Sequence, residues 1–414
     1  MLKLGVFLMT NYLDKSIVEI NKLLKSKTIK PIDLVNEAFD KIKDHDDLFI
    51  TLCRESAIDK AKSLEDKDVD NLLFGIPIVL SDNIVTKGIK TTCGSKMLSN
   101  FIPIYDSFVV DLINKNNLII IGKSNMKEFC NSSSLGYIVG NNITPLGLGT
   151  DVLGLLKEGC NDNKSICFIP TYGRVSRYGI ITACSSMEQV GTITNNVYDC
   201  ALLLNLLCKK DEHDLNNVST SEDFTSYVGS SIKNMNVLLN GSNEKIVSFF
   251  KSNDINLSIS NISSKEISTI YNIIYYGELS TNLARYDGIK YGYSTENPKN
   301  IHELYRKTRS EGFSFDTKVK IMAGSYLVSP SKVNDYYKKA LKIRNSINNK
   351  FNDLFNKYDV IVGTFDKSFI LVANLIGLPS ICINGLYIIG KRFDEKSVLK
   401  LASFIYDKGV MFYE

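Results

Sequence analysis

The residues best placed to do chemistry follow a short apolar run. Residues 73–80 (LFGIPIVL) read as a buried strand, and Ser81, Asp82 and Asn83 come directly after it. Polar side chains just past such a strand stand where α/β sheets place their sites; the same three residues also suit a plain turn. Ser132, Ser133 and Ser134 form a serine run, a pattern that usually marks a solvated loop. Residues 278–293 (ELSTNLARYDGIKYGY) and 304–313 (LYRKTRSEGF) are rich in Arg, Tyr and Gly. Arg with Tyr is the composition of interface anchors, and equally of surface helix ends with turn glycines. Nine cysteines form no CxxC pair and only three histidines exist, which argues against a zinc site. Scattered cysteines in apolar contexts fit a reducing cytoplasm.

The elements that must hold these residues alternate. Residues 14–25 and 32–43 place apolar side chains three and four apart and read as amphipathic helices, with Pro31 at the start of the second. Residues 107–115 read as a helix, 118–122 as a strand and 123–129 as another helix, an alternation that points to an α/β fold. Residues 199–208 form a strongly apolar helix, and 235–239 a strand. Residues 240–265 are Ser/Asn-rich and read as a small helical excursion. Residues 334–357 form a long helix; 360–363, 379–383 and 386–390 are short strands, and 398–406 a closing helix. No linker divides the 414 residues, so 11–414 read as one domain, with 1–10 an upstream extension and Met1 and Met9 both candidate starts.

Charge and hydropathy exclude other classes. The formal net charge is +4 and the pI about 8.4, too weak and too evenly spread for a nucleic-acid face. No apolar run approaches a membrane span. The reading is a soluble cytoplasmic protein that needs no metal and no cofactor.

Several blocks together resemble the amidase signature family, and within it the A-type subunits of tRNA-dependent amidotransferases. They are residues 75–83 (GIPIVLSDN), 87–97 (KGIKTTCGSKM), 120–129 (IIGKSNMKEF), 170–179 (PTYGRVSRYG), 282–293 (NLARYDGIKYGY), 309–313 (RSEGF), 336–344 (YYKKALKIR) and 373–383 (ANLIGLPSICI). They occur in family order and span nearly the whole chain. The resemblance implies a mixed central sheet flanked by helices on both faces. It also implies a Ser–Ser–Lys triad that hydrolyses glutamine, with the ammonia passing to a B-type subunit that works with a small C-type one.

Carried over residue by residue, the resemblance leaves the triad empty. The family's lysine falls on Ser81. Its nucleophilic serine falls on Leu155, in an alignment without gaps from Gly149 through Arg174. The Gly/Ser-rich loop that bears the relay serine is absent, because Asn142 is followed almost at once by Gly147. The Thr-Gly-Gly of the oxyanion turn becomes Val152, Leu153 and Gly154, of which only Gly154 keeps the needed backbone freedom. The glutamine-binding arginine falls at or near Lys320, which offers charge without the two-pronged fork. The acidic segment that would hold the substrate amine is cut away, leaving GTFDKSFI. Cys160 lies five residues past Leu155 with no histidine near, and Ser81 has no evident base.

The expectation is therefore a pseudoenzyme that keeps the amidase frame and a partner surface at Arg285, Tyr286 and Arg309. An amidohydrolase with non-standard catalytic residues, or a decaying gene copy, are the alternatives. Residues 161–165 (NDNKS) are polar where the family is small and buried. Residues 152–165 should then be remodelled toward solvent or poorly ordered, while 170–179 stay packed.

Overall fold

In a computed structural model, the chain is described over residues 11–413 apart from 130–133, 254, 263–265 and 365. The proposed extension 1–10, with Met9, and Ser132 and Ser133 of the serine run lie outside the described residues. One mixed sheet organises the molecule. Its strands are β1 (Phe49–Leu52), β2 (Pro77–Ser81), β3 (Ile119–Ser124), β4 (Leu146–Asp151), β5 (Ile166–Ile169), β6 (Gln189–Thr194), β7 (Asn236–Asn240), β8 (Asn256–Ser260), β9 (Val360–Thr364), β10 (Ser380–Ile383) and β11 (Leu386–Gly390). Their order across the sheet is β1-β3-β2-β4-β6-β5-β10-β11-β9-β7-β8. β2 runs parallel to both neighbours, β3 and β4, while β4 and β6 are antiparallel. Every residue of β2 is buried, as the continuous apolar run requires for a strand covered on both faces.

The helices form where side-chain capping and periodicity agree. Ser16 and Glu19 make a reciprocal capping box on the Ile17–Lys25 helix, and Pro31 opens the Pro31–Ile42 helix. Their apolar stripes are buried: Ile17, Ile20 and Leu24 on one, Leu34, Val35, Ala38 and Phe39 on the other. The Asn/Ser-rich excursion becomes a helix, Glu244–Ser252, and the edge strand β8, which lies parallel to β7.

Two local expectations fail for physical reasons. Residues 123–129 do not form a helix: Lys123 and Ser124 continue β3, because the strand is clasped on both sides. Thr51 pairs with Lys123 and Phe49 with Ser124 on β1, while Leu80 pairs with Lys123 and Ser81 with Ser124 on β2. A ladder with two partners outweighs a weak helical pattern. Residues 152–165 are neither frayed nor remodelled. They contain a regular helix, Leu155–Asp162, packed so tightly on the Leu135–Gly140 helix that a Cβ on Gly136 would lie 2.3 Å from the Gly159 carbonyl oxygen. The polar residues are accommodated one at a time. Asp162 and Lys164 face solvent, the Asn163 amide donates to Gly159 O at 2.7 Å, and buried Ser165 donates to Gly136 O at 3.1 Å.

Candidate functional site

Three parallel strands end side by side: β2 at Ser81, β3 at Ser124 and β4 at Asp151. The sequence places a site at these carboxyl ends, and the polar residues do converge there. Asn83 Nδ2 donates to Thr150 Oγ1 at 2.9 Å and to Glu188 Oε1 at 3.2 Å, and Thr150 Oγ1 also donates to Glu188 Oε1 at 2.7 Å. Asp82 Oδ2 accepts from the Thr92 backbone N–H at 2.8 Å and from its hydroxyl at 2.5 Å. Asp82 Oδ1, Asn83 Oδ1 and Ser124 Oγ are buried without a hydrogen-bond partner among the described residues. Left-over polar capacity around Ser81 is a feature of sites rather than of plain turns.

Leu155 is the first residue of its helix. Gly154 before it adopts φ +73°, and a Cβ there would meet Ile370 Cγ2 at 2.7 Å, so glycine is required both by conformation and by space. The Leu156 N–H donates to Asp151 Oδ1 at 3.1 Å, which closes the first turn from the end of β4. Tyr271 OH donates to Val152 O at 2.9 Å. The turn is thus firmly built, yet the side chain it presents is an alkyl group that is neither nucleophile nor acid.

Two buried lysines flank this centre, and sequence reasoning singles out neither. Lys157 makes an ion pair with Asp151 at 3.1 Å and donates to Asn374 Oδ1 at 2.5 Å and Tyr387 OH at 3.0 Å. Burial alone would lower its pKa, but Tyr387 and Asp151 more than offset that, and it is held above the ordinary lysine value. A lysine so committed is a structural cation. Lys123 is the opposite case. Burial pushes it down to about 8, with the Asp82 carboxylate opposing. Its Nζ donates to the carbonyl oxygens of Ile84 and of Ser81, the latter at 3.4 Å. Both acceptors are backbone oxygens: the ladder pairs Lys123 with Leu80 and Ser81 with Ser124, so the two side chains leave opposite faces of the sheet, and both residues are fully enclosed. The signal was the Lys inside IIGKSNMKEF, hidden by the helical reading of that block.

The position assigned to the missing loop also changes. The Leu135–Gly140 and Leu155–Asp162 helices approach in the same direction, Gly136 against Gly159 and Gly140 against Asn163. Residues 141–145 therefore leave the far end of this pair. The described residue that precedes the Leu135–Gly140 helix, near the start of the Leu155 helix, is Ser134. Its hydroxyl does not cap the helix but donates to Leu48 O at 2.8 Å. Lys320, at the expected carboxylate-binding position, is tied to Asp316 at 2.6 Å on its own helix, Phe315–Leu327. Cys160 is buried in the core.

The expected partner surface divides. Arg285 is exposed. Tyr286 is buried against Phe129, Phe313 and Tyr291. Arg309 is half-buried and donates to the carbonyl oxygens of Leu283 at 2.8 Å and Tyr286 at 3.1 Å, ending the Leu283–Arg285 turn. Arg309 and Tyr286 are thus internal fasteners, because their donors and rings are consumed inside the fold. The PTYGRVSRYG block is another. Buried Arg174 pairs with Glu395 at 3.2 Å, and Thr171 N–H donates to the same carboxylate at 3.0 Å, latching the sheet to the Glu395–Asp407 helix.

A mixed sheet sandwiched by helices, with its polar cluster at the ends of parallel strands and a tight glycine turn opening a helix beside it, defines an amidase-type frame. The chain belongs to the amidase family: the family's model matches residues 33–135, 131–240 and 255–365. It is 34% identical to the A-type subunit of the glutamyl-tRNA(Gln) amidotransferase of Macrococcus caseolyticus over 460 aligned positions, covering 94% of this chain and 96% of that one. It is 35% identical to the corresponding protein of Pediococcus pentosaceus over 463 positions, covering 94% and 95%. An alignment longer than the 414 residues present means that these relatives carry segments this chain lacks. The fold matches the crystal structure of the same amidotransferase component from Thermotoga maritima with TM-score 0.75 at 23% identity, covering 98% of both chains. It also matches an amidase family protein from Bacillus anthracis with TM-score 0.81 at 18% identity, covering 97% of this chain and 92% of that one. Among the described residues no helix is long and apolar enough to cross a membrane.

Proposed function

We propose that this chain is a non-catalytic A-type amidotransferase component, a cytoplasmic pseudoenzyme that keeps the amidase frame and binds a B-type subunit together with its small C-type partner. The observation that carries the reading is Leu155 at the start of an intact, tightly held turn: the scaffold for a nucleophile is kept while the nucleophile is gone. Ser81 in place of the family's lysine removes the base from the same centre. Loss of nucleophile and base together lowers rates on the order of 10⁶-fold, roughly 8 kcal/mol of barrier. No retained group offsets that. Lys157 is locked in an ion pair, and Lys123 points at backbone carbonyls.

The test is ammonia release from glutamine by the purified chain, alone and after reconstitution with B-type and C-type subunits. The expected result is release at the level of buffer. Turnover comparable to that of an intact A-type enzyme, lost on Lys123→Met, would instead favour an amidohydrolase that uses Lys123.

A further inference from the structure

Beyond the strand-end centre, the fold carries a cavity of about 470 Å³ that the amidase reading does not use. One wall comes from residues 177–182, which continue the PTYGRVSRYG block and are tied to the strand-end turn through the Ile84–Ile180 bridge. Arg285, Tyr291 and Tyr105 line it as well. A volume of several hundred Å³ is in the range of small-molecule sites.

The chemistry of the walls is one-sided. Two guanidinium groups line the cavity, and no carboxylate does. Arg177 is held in place, with Asp214 at 3.7 Å from its Nε, a bond to Ser185 O, and its guanidinium 4.4 Å over the Tyr172 ring. Arg285 is different. Its Nε donates to Asn282 O at 2.8 Å and its Nη2 to Asn282 Oδ1 at 3.3 Å, both within its own turn. Those contacts fix the orientation of the fork without neutralising it, and among the described residues it makes no ion pair. A pre-oriented, uncompensated guanidinium is suited to a planar carboxylate.

The rest of the lining is mostly apolar, with Val85, Leu98, Ile180 and Ile181 beside five aromatic rings, three of them accessible. Tyr105, Tyr178 and Tyr291 are 43%, 36% and 46% exposed, with one face of Tyr178 stacked on His213 at 4.5 Å. Tyr105 and Tyr178 are 5.9 Å apart and tilted; Tyr291 stands edge-on to buried Tyr286 at 5.9 Å. Rings held by their neighbours offer stacking faces at small entropic cost.

We infer that this cavity is a binding site for a small aromatic carboxylate, its ring stacked among Tyr105, Tyr178 and Tyr291 and its carboxylate on the Arg285 fork. A cationic ligand finds no counter-charge in the walls, and a heavily hydrated anion would lose its water against tyrosine rings. The site is independent of the fate of the triad, so its test does not depend on glutamine turnover.

The full chain contains no Trp, so the fluorescence of 2-naphthoate can be followed without tryptophan emission. The expected result is saturable binding of 2-naphthoate, displaced by benzoate but not by acetate, inorganic phosphate or 2-naphthalenemethanol. Arg285→Gln should weaken it at least tenfold with an unchanged melting temperature, since the side chain is exposed. Arg285→Lys should recover part of the loss, and Tyr291→Ala should weaken binding independently. Equal binding of the uncharged alcohol, equal affinity in Arg285→Gln, or no saturation at millimolar ligand would each overturn the proposal.

Discussion

Replacing Lys157 with methionine should expose how strongly the altered centre still depends on its buried charges. In the wild type, Lys157 and Asp151 are both fully enclosed and 3.1 Å apart, and Tyr387 and Asn374 share the ammonium. Methionine fills the same space without a charge. It leaves the Asp151 carboxylate with only the Leu156 N–H at its Oδ1, and it strips the donor from Asn374 Oδ1. Removing one member of a buried pair costs about 3–5 kcal/mol, because the other charge is stranded. For a chain of this length the unfolding entropy is roughly 0.9 kcal/mol/K, from ~2.1 cal/mol/K per residue. The melting temperature should therefore fall by about 3–6 °C. The sign with pH follows from the raised pKa of Lys157. Its contribution is complete below the ordinary lysine value and is lost only as pH rises through the still higher folded value, so a measurement near neutral pH reads the full effect. Asp151→Asn combined with Lys157→Met should recover part of the loss, since neither charge then remains unpaired. Differential scanning calorimetry of the wild type and the two variants decides it: a single Lys157→Met variant that melts with the wild type would refute the idea that this pair holds the turn.

The remaining predictions concern the same frame. Burial lowers Lys123 to about 8, so between roughly pH 8 and 10 the unfolded chain binds more protons than the folded one, and wild-type stability should rise with pH relative to Lys123→Met, by about 3 kcal/mol at the limit; parallel denaturant midpoints across that window would rule this out. Arg309→Ala should lower the melting temperature by removing the donor to the Tyr286 carbonyl and one of the two donors to the Leu283 carbonyl, about 1–3 kcal/mol, whereas Arg285→Ala should leave stability unchanged. Equal effects of the two in a thermal melt would contradict the division drawn between fastener and surface. The double variant Ser81→Lys with Leu155→Ser should release no ammonia from glutamine even with B-type and C-type subunits, because Val152 and Leu153 still occupy the oxyanion turn and Lys320 stays tied to Asp316. Turnover by that variant, measured by coupled ammonia detection, would show that the frame alone suffices.

Much of the sheet was legible because its strands are short, apolar and bounded by turn residues: β2, β7, β9, β10 and β11 lie close to their expected positions. The site was legible as a place, at Ser81 to Asn83, since polar residues after a buried strand carry their own signal. What the sequence hid is tertiary. Nothing local says that Lys123 extends a strand, because the ladder that makes it do so runs to Thr51 and Leu80, far away in sequence. Nothing local says that Lys157 is buried, because its partners Asn374 and Tyr387 lie 217 and 230 residues further along the chain. The polar run 161–165 misled for the same reason. Judged by composition it could not pack, but the fold turns Asp162 and Lys164 to water and gives Asn163 and Ser165 individual partners.

The buried polar groups around the centre depend on one another. Asn83, Thr150 and Glu188 bind one another, Asp82 binds Thr92, Asp151 binds Lys157, and Arg174 binds Glu395. Each of these groups is buried, so altering any one strands another in a low-dielectric interior. Among the described residues, Leu155 and Ser81 make no side-chain bond in these networks. Leu155 is half-buried at a helix start, where an alkyl side chain fits the apolar surroundings without stranding a partner. Ser81 pairs with Ser124 in the ladder, and its side chain leaves the sheet on the face opposite Lys123. An alkyl side chain at Leu155 therefore strands no partner, while substitution in the surrounding networks does. A chain under selection for its shape alone would be expected to hold the networks around Asp151 while the half-buried position of Leu155 varied.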